Sequence, residues 1–471
     1  MKLLPASLTA LMLALLMGCV TVLLDSARNS TPPIADSTDG TTGTDVTTVD
    51  PTTVDPTTVD PTTVDPTTVD PTTVDPTTVA VVRIVAPTEE LAPFIDEALD
   101  WLANAQHESG GWGAGSHSSQ QIRDPHKVQT DPATTAFTAM ALLRVGGNPT
   151  SGKYKNHLRR ASEHLVRVVN ESDANGPTIT TLQGTQPQSK LGQFIDTSMT
   201  LQFLSRILPK LPDSDPLHPQ VDAALDKCLV KLQKSQKEDG SWGGGSWAGV
   251  LQSSVGCSAL EWAVAAGKNV DMDALDRARE HQKDNFNTET GRASAEDSAG
   301  IELYAFAGSQ RAAASEAGAA FQIIENAKKE GLLEADAECT VENLRLVGID
   351  ASKATTLTRA FAQNRAQLKL LDNEQMLSGF GNNGGEEFLS YMLTSESLVL
   401  QGGDAWPKWK QKMHTRMAKI QISDGSWTGH HCITSPVFCT AAVVQCLTAD
   451  RDEELLRILN NRDAQSPPEK L

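Results

Sequence analysis

Apolar and polar residues alternate from about residue 86 onward in blocks of helical length. Six blocks are apolar almost all round, as in buried helices: 131–145, 193–208, 253–267, 296–308, 386–401 and 434–448. Six others are rich in Lys, Glu, Arg and Gln, as in helices at a surface: 153–170, 218–237, 271–285, 312–329, 353–375 and 405–421. A preceding helix that ends near Gln106 carries an apolar stripe that includes Leu99 and Leu102. Because no run of alternating strand residues interrupts this pattern, it predicts an all-α domain with two concentric helix layers.

A short motif recurs where an outer helix ends and an inner helix is about to begin. It consists of a Gln, a Gly and a Trp in QxxxGxW spacing, and its copies are Gln106, Gly110 and Trp112; Gln236, Gly240 and Trp242; and Gln421, Gly425 and Trp427. A weaker copy, from Gln375 to Phe380, has its aromatic residue one place early. Glycine permits the left-handed turn that ends a helix, and Trp gives that turn a large apolar contact. The copies therefore indicate an internal repeat.

These copies resemble the QW motif of the squalene-cyclase and protein-prenyltransferase repeat family. The resemblance covers residues 86–471 and implies an (α/α)6-type toroid, in which the Gln and Trp of successive repeats pack together on the outer ring. It does not imply an activity, because function depends on the residues of a site and not on the fold.

The motifs that carry this family's chemistry are missing from the chain. The resemblance implies an aspartate-rich DxDD acid in cyclases, yet the sequence contains no DxDD and has only three Tyr and eleven Phe. For prenyltransferases it implies zinc held by Asp-x-Cys and a distant His; the nearest segments here are Asp297-Ser298-Ala299 and Phe438-Cys439-Thr440. The thioester branch needs Gly-Cys-Gly-Glu-Gln, which Gly256-Cys257-Ser258-Ala259 does not supply.

Two groups of residues remain as candidates for chemistry. His430, His431, Cys432 and Cys439 are metal-ligand types close together in sequence, and zinc is the cofactor that they would suit. The alternative is that the histidines lie in a loop and the cysteines pack as small apolar groups. Of the acids, Glu386 and Glu387 are adjacent before an inner helix, and Asp131, Asp196 and Asp297 each open one. Acids in these places either perform acid–base catalysis or cap helix starts.

The first 85 residues have a different character. Residues 1–19 read as an export signal with Lys2 before an apolar run, and Leu16 to Cys19 resemble a bacterial lipobox, which would make Cys19 the lipidation site. An ordinary signal peptide and an uncleaved anchor are the alternatives. Residues 20–85 contain six DPTTV repeats, which predict an extended, disordered acidic spacer between the membrane and the domain at 86–471.

Charge and cysteine content narrow the function classes. The formal net charge is −19, which argues against nucleic-acid binding because that requires a basic surface. Six cysteines beyond Cys19 permit disulfides in an exported protein. We therefore expect an exported, tethered binding or scaffold module for an apolar ligand, a peptide or an envelope component. The alternative is a divergent enzyme on the same scaffold, either a metal-assisted transferase or hydrolase or a glycan-cleaving enzyme.

Overall fold

The computed structural model describes residues 90–243, 246–294, 296–381, 383–452 and 458–459. The predicted signal segment, Cys19 and the DPTTV spacer lie outside this range. Six helices form an inner layer: α2 (Pro132–Arg144), α5 (Ile195–Ile207), α7 (Gly249–Ala265), α9 (Glu302–Lys329), α13 (Gly385–Gln401) and α15 (Pro436–Leu447). Six form an outer layer: α1 (Pro93–Asn104), α3 (Lys155–Glu171), α6 (His218–Lys234), α8 (Met272–Lys283), α11 (Ala351–Leu368) and α14 (Ala405–Ala418).

Short elements connect these helices. They are α4 (Gln186–Lys190), α10 (Val341–Leu346), α12 (Glu374–Leu377) and an antiparallel pair of two-residue strands, β1 (Phe286–Asn287) and β2 (Arg292–Ala293). No described helix is both long and apolar enough to cross a membrane.

The inner helices form a closed ring. Helix α2 contacts α5, α5 contacts α7, α7 contacts α9, α9 contacts α13, α13 contacts α15, and α15 returns to α2. Each inner helix also packs against at least one outer helix, and α1 completes the outer layer beside α15. Every residue of α2 and of α15 is buried, because such a helix has neighbours on all sides. The prediction of an all-α toroid with two concentric layers is thus confirmed.

One part of the predicted helix pattern is wrong. We expected an inner helix at 296–308 and a separate outer helix at 312–329, but α9 is a single helix that spans both. The charged residues of this stretch include Arg311, just before the predicted outer segment, and Glu316 within it, and both are buried. Their charges are neutralised by ion pairs with Glu261 and Lys283, so they belong to the interior. In the outer layer α9 packs against α11 and also against α8.

The repeated motif links each turn to the next outer helix. In all three copies the Trp indole Nε1 donates to a carbonyl ten residues earlier, at 2.8–2.9 Å. The motif Gln donates to the carbonyl of its own Gly and to a second carbonyl on the following outer helix or at its start. These second acceptors are His157, Ala274 and, at the ring closure, Phe94. The motif therefore connects neighbouring hairpins through the outer layer.

The motif glycines are in the left-handed region, as predicted. Gly110, Gly240 and Gly425 have φ angles of +91°, +86° and +91°. A Cβ at Gly110 would also lie only 2.5 Å from the carbonyl oxygen of Arg160. A side chain is thus excluded twice, by backbone strain and by the close approach of the next helix.

Candidate functional site

The N-terminal ends of the inner helices meet at one end of the ring, which we call the mouth. Side chains in the first turns there accept hydrogen bonds from the starts of neighbouring helices. Asp196 on α5 accepts from the backbone N–H of Ala133 on α2 at 3.0 Å. Gln252 on α7 accepts from Phe194 N–H at 2.7 Å, and Glu386 on α13 accepts from Ile433 N–H at 3.1 Å. These bonds satisfy backbone donors that a helix start leaves free.

The three aspartates predicted at helix starts have different roles. Asp131 is the N-cap of α2: its carboxylate accepts from Thr134 N–H and from Ala114 N–H, each at 2.8 Å. Asp196 caps the neighbouring helix α2, while its own helix α5 has no side-chain cap. Asp297 does not open α9, which begins at Glu302; it is exposed and has a φ of +49°. The structure therefore places Asp297 apart from the other two.

Burial changes the acidity of the two capping aspartates. Burial raises the pKa of Asp131 to about 6. Burial, and secondarily the charge of Asp131, raises the pKa of Asp196 to about 7. The second Asp196 oxygen accepts from Gln188 Nε2 at 2.7 Å. All four carboxylate oxygens of the pair thus hold parts of the fold together.

Glu386 and Glu387 are fully buried at the start of α13. Burial, with Glu387 as the next cause, raises the pKa of Glu386 to about 8, which keeps this carboxyl protonated at neutral pH. Glu387 Oε1 accepts from the Tyr304 hydroxyl at 2.6 Å and from Phe380 N–H at 2.9 Å. Glu386 Oε1 and Glu387 Oε2 have no hydrogen-bond partner within the part of the chain that the structure describes.

Glu387 occupies a position that belongs to the internal repeat. In the three strict copies the backbone N–H of the motif Trp donates to a hydroxyl on the following inner helix, from Thr135, Ser253 or Thr440. In the weaker copy the aromatic residue is Phe380, and its N–H donates to Glu387 instead. In the weaker copy a carboxylate therefore takes the place of the hydroxyl that accepts the hydrogen bond from this turn.

The His–Cys candidates lie in the segment that leads into α15. His430 is exposed, whereas Cys432 and Cys439 are buried. Burial, and next the charge of Glu386, raises the pKa of both thiols, that of Cys432 to about 12, so neither is a ready thiolate ligand at neutral pH. Cys439 donates its S–H to the Ile433 carbonyl. Among the described residues, no three His, Cys, Asp or Glu side chains are grouped so as to hold a metal ion.

His431 is the residue of this segment that faces the acids. Its Nε2 lies 3.9 Å from Glu387 Oε2, too far for a hydrogen bond. Neither ring nitrogen has a hydrogen-bond partner among the described residues. Burial lowers the pKa of His431, so the ring is neutral at pH 7.

Two exposed aromatic side chains border this cluster. Phe380 is 52% exposed and Trp247 is 38% exposed, although both are large and apolar. The rings follow one another edge to face: Trp247 lies 5.9 Å from Phe380, and Phe380 lies 5.2 Å from His431. The Lys190 ammonium lies over the Trp247 ring at 4.8 Å. We call Trp247, Phe380 and Lys190 the rim.

The centre of the ring, away from the mouth, contains buried charged side chains. Arg144, Arg206, Glu261, Arg311 and Glu396 each come from a different inner helix, and Asp452 follows α15; we call these six residues the charged floor. Arg144 pairs with Glu396 and, at 2.6 Å, with Asp452. Arg311 pairs with Glu261 at 2.7 Å and with Glu396 at 3.3 Å. Arg206 pairs with Asp452 and stacks on Trp262.

Reasoning from sequence missed the charged floor, Tyr304 and Lys190. The floor did leave a signal in two inner helices, since Arg144 in α2 and Glu261 in α7 are each the single charged residue of their helix. Tyr304 and Lys190 left none, because their relation to Glu387 and Trp247 depends on the closed ring.

A groove of about 410 Å³ lies on the outer layer between α3 and α6. It is lined in part by Val166, by Leu217 and by Arg159, which pairs with Asp215.

The six cysteines beyond Cys19 are free thiols in the structure: Cys228, Cys257, Cys339, Cys432, Cys439 and Cys446.

Comparison with known proteins agrees with the repeat motif. Residues 76–184, which include the first motif copy, match the family model of the squalene-hopene cyclase C-terminal domain. This match confirms the resemblance to the squalene-cyclase repeat family. No curated protein matches the chain.

Two solved structures are similar to this chain at low identity. One is the type II terpene cyclase MstE from Scytonema without ligand, at 13% identity, covering 76% of this chain and 98% of that one, with a TM-score of 0.31. The other is a variant of MstE in complex with its product merosterolic acid A, at 13% identity, covering 76% and 96%, with a TM-score of 0.30. The architecture rests on the closed ring of helix contacts and not on these neighbours.

Proposed function

We propose that this protein is a binding module whose ligand docks at the mouth, on the rim. The observation that carries the proposal is the charged floor, which brings three buried arginines into the centre of the ring. Cyclisation through carbocations needs an apolar cavity with aromatic faces, whereas the side chains at this centre are three arginines paired with three carboxylates. The charged floor therefore opposes the cyclase chemistry for which related scaffolds are used.

The mouth has the features of a docking surface. Phe380 and Trp247 expose large apolar rings next to polar groups that lack partners, and exposed aromatic side chains commonly anchor ligands. Most of the acids at the mouth hold the starts of helices and are thereby committed to the fold. An apolar ligand, a peptide or an envelope component would contact the rim first.

The sequence outside the described residues supports a tethered location. A lipobox ending at Cys19 and an acidic spacer would place the toroid at a distance from a bacterial envelope membrane. Intact mass of the protein from membranes tests this: a diacylglyceryl adduct on a chain that starts at Cys19 is expected. An unlipidated chain, or a chain that starts at a residue other than Cys19, would contradict it.

Native mass spectrometry of the full chain, purified in mild detergent without chelator, tests the binding function. We expect a bound organic mass that is lost in a Trp247→Ala/Phe380→Ala variant. The matched control is Leu332→Ala/Leu346→Ala, which removes two exposed apolar side chains from another part of the surface. An organic mass that persists in the rim variant, or a bare protein mass in the unaltered chain, would refute docking at the rim. Stoichiometric zinc would favour a metal-assisted enzyme.

A second candidate function is favoured by one observation. Glu386 combines a pKa raised to about 8 with an oxygen that lacks a hydrogen-bond partner among the described residues, so its carboxyl is a proton donor at neutral pH. A glycan-cleaving enzyme needs such a general acid. Release of reducing ends from purified envelope glycan by the unaltered chain, but not by Glu386→Gln, would support this enzyme. Equal release by both would exclude Glu386 as the acid.

A further inference from the structure

We propose that the rim binds an extended acidic peptide, whose carboxylate pairs with Lys190 while apolar side chains of the same peptide contact Trp247 and Phe380. The inference rests on the proposed binding function and specifies the class of its ligand. At the rim, a cation without an anionic partner lies next to two exposed aromatic rings.

Lys190 is a partly exposed cation that no carboxylate neutralises. Within the described residues, no carboxylate oxygen lies within about 4 Å of its Nζ, the limit for an ion pair. Two acids of the mouth are buried and are not available to it: Glu386 is protonated at neutral pH, and Glu387 is already held by two donors. The Lys190 Nζ has no hydrogen-bond partner among the described residues either, and it is accessible to solvent. Its N–H donors are therefore available to an anion from outside.

The backbone fixes Lys190 beside Trp247. Lys190 is the last residue of α4, and its carbonyl accepts from the N–H of Ala248, the residue after Trp247, at 2.8 Å. Helix α4 is itself anchored by Gln186, whose side chain accepts from Thr434 N–H at 2.7 Å. The ammonium consequently lies over the Trp247 ring, 4.8 Å from its centroid. A cation that is held in place before binding loses little freedom when an anion arrives, which favours affinity.

The three side chains of the rim form a strip. Lys190 Nζ lies 4.8 Å from the Trp247 centroid, and the Trp247 and Phe380 centroids lie 5.9 Å apart. In an extended chain, the side chains on one face recur every second residue, about 6.5–7 Å apart. A peptide with one acidic and two apolar residues at alternate positions therefore presents them at a spacing close to that of the strip.

The strip is open, which favours a peptide over a lipid. Trp247 is 38% exposed and Phe380 is 52% exposed, so an acyl chain on these rings would leave much of its own apolar surface in water. A peptide keeps its polar backbone in water and needs only its side chains to be covered. The formal net charge of −19 does not prevent the approach of an anion, because charges more than about 8 Å apart are largely screened at physiological ionic strength.

Isothermal titration of the full chain in mild detergent, with two blocked peptides at physiological ionic strength, tests the inference. One peptide is acetyl-Glu-Ser-Leu-Ser-Leu-amide, and the other has Gln in place of Glu, which keeps the shape and removes the charge. We expect the Glu peptide to bind at least about threefold more tightly, as for a partly exposed ion pair. Equal binding of the two peptides would overturn the assignment to an acid, and so would no binding of either.

Variants at Lys190 locate the contact. Lys190→Met removes the ammonium and keeps the apolar stem, so the preference for the Glu peptide should disappear, whereas Lys190→Arg keeps the charge and should keep the preference. Lys155→Met is the matched control, because Lys155 is an exposed lysine at the start of α3, outside the rim. A preference that persists in Lys190→Met, or that disappears in Lys155→Met as well, would refute this site. The preference is a ratio of two affinities for one protein, so a general loss of folded protein does not imitate its disappearance.

The two proposals fail in different ways. Equal binding of the two peptides, together with an organic mass that is lost in the rim variant, would leave the binding function standing and remove the acidic peptide as its ligand. An organic mass that proved to be a lipid would refute the peptide in the same way. Absence of any organic mass would remove the binding function itself.

Discussion

Gln421 donates a hydrogen bond from Nε2 to the carbonyl oxygen of Phe94 at 2.8 Å, across 327 residues of sequence. The same Nε2 also donates to the Gly425 carbonyl at 2.8 Å. The equivalent bonds of Gln106 and Gln236 each reach an outer helix that follows in sequence. Gln421 reaches the first one, so it joins the two ends of the helical layer.

Replacing Gln421 by Ala should therefore weaken the contact that joins the two ends of the helical layer. Two hydrogen bonds are lost, and at about 0.5–1.5 kcal/mol each the free energy of unfolding should fall by about 1–3 kcal/mol. Urea denaturation followed by far-UV circular dichroism measures this change. Gln375 is the control, because it begins the weaker motif copy and is exposed. If Gln375→Ala lowered the free energy of unfolding as much as Gln421→Ala, the two hydrogen bonds of Gln421 could not be the cause of its effect.

The repeated motif also shows how far the sequence predicts the fold. The motif could be recognised because Gln, Gly and Trp recur in strict spacing, and each residue has a local role: the Gly permits the turn, and the Trp covers it. That local regularity was enough to predict layers, turns and hairpins. It failed at α9, where the segment 312–329 was predicted to be a surface helix although its Glu316 is buried. The partner that neutralises Glu316 is Lys283 on α8, an earlier helix.

The candidate site was less predictable for the same reason. The sequence picked out Glu387 and His431 as possible functional residues, yet it could not show that the two side chains lie 3.9 Å apart. Their relation depends on Gly384 and on the contact between α13 and α15. Tyr304, 83 positions away from Glu387, had no sequence signal at all.

The charged floor should be sensitive to the loss of one partner. Arg144→Met would leave Glu396 and Asp452 in the interior with less positive charge, and breaking a buried pair typically costs about 3–5 kcal/mol. Urea denaturation should show a loss of that order. Lys153→Met is the control, because Lys153 and Asp100 form a pair at the surface with side chains 59% and 53% exposed, and such pairs contribute up to about 1 kcal/mol. Similar losses in the two variants would refute a special role for the floor.

Stability should depend on pH through the two capping aspartates. Burial raises the pKa of Asp131 to about 6 and that of Asp196 to about 7, from the usual 3.8 of an aspartate. The folded chain thus binds these protons more tightly than the unfolded chain, and the resulting stabilisation is full below pH 3.8. It decreases as the pH rises above 3.8 and is lost once the pH has passed through about 6 to 7, so this pair makes the free energy of unfolding decrease between pH 3.8 and about 7.

Asp196→Asn removes one of the two titrating groups. Urea denaturation at intervals from pH 4 to pH 8, a range of about four units around both pKa values, should therefore show a smaller decrease than in the unaltered chain. Asp297→Asn is the control, since Asp297 is exposed and its left-handed backbone suits Asn. A decrease of the same size in Asp196→Asn and in the unaltered chain would assign the pH dependence to other groups.

The strict and weak copies of the motif should respond differently to loss of their aromatic residue. Trp112 is completely buried and its indole donates to the Leu102 carbonyl, so Trp112→Ala should lower the free energy of unfolding by about 3–5 kcal/mol. Phe380 is 52% exposed, and only its backbone N–H braces the turn, through Glu387. Because that bond survives truncation of the side chain, Phe380→Ala should cost less than about 1 kcal/mol. Urea denaturation of both variants, with ligand binding measured in parallel, decides the point. A large loss of stability in Phe380→Ala would mean that this ring stabilises the fold. Phe380 could then not be regarded as a residue of the weaker motif copy that is free to bind a ligand at the rim.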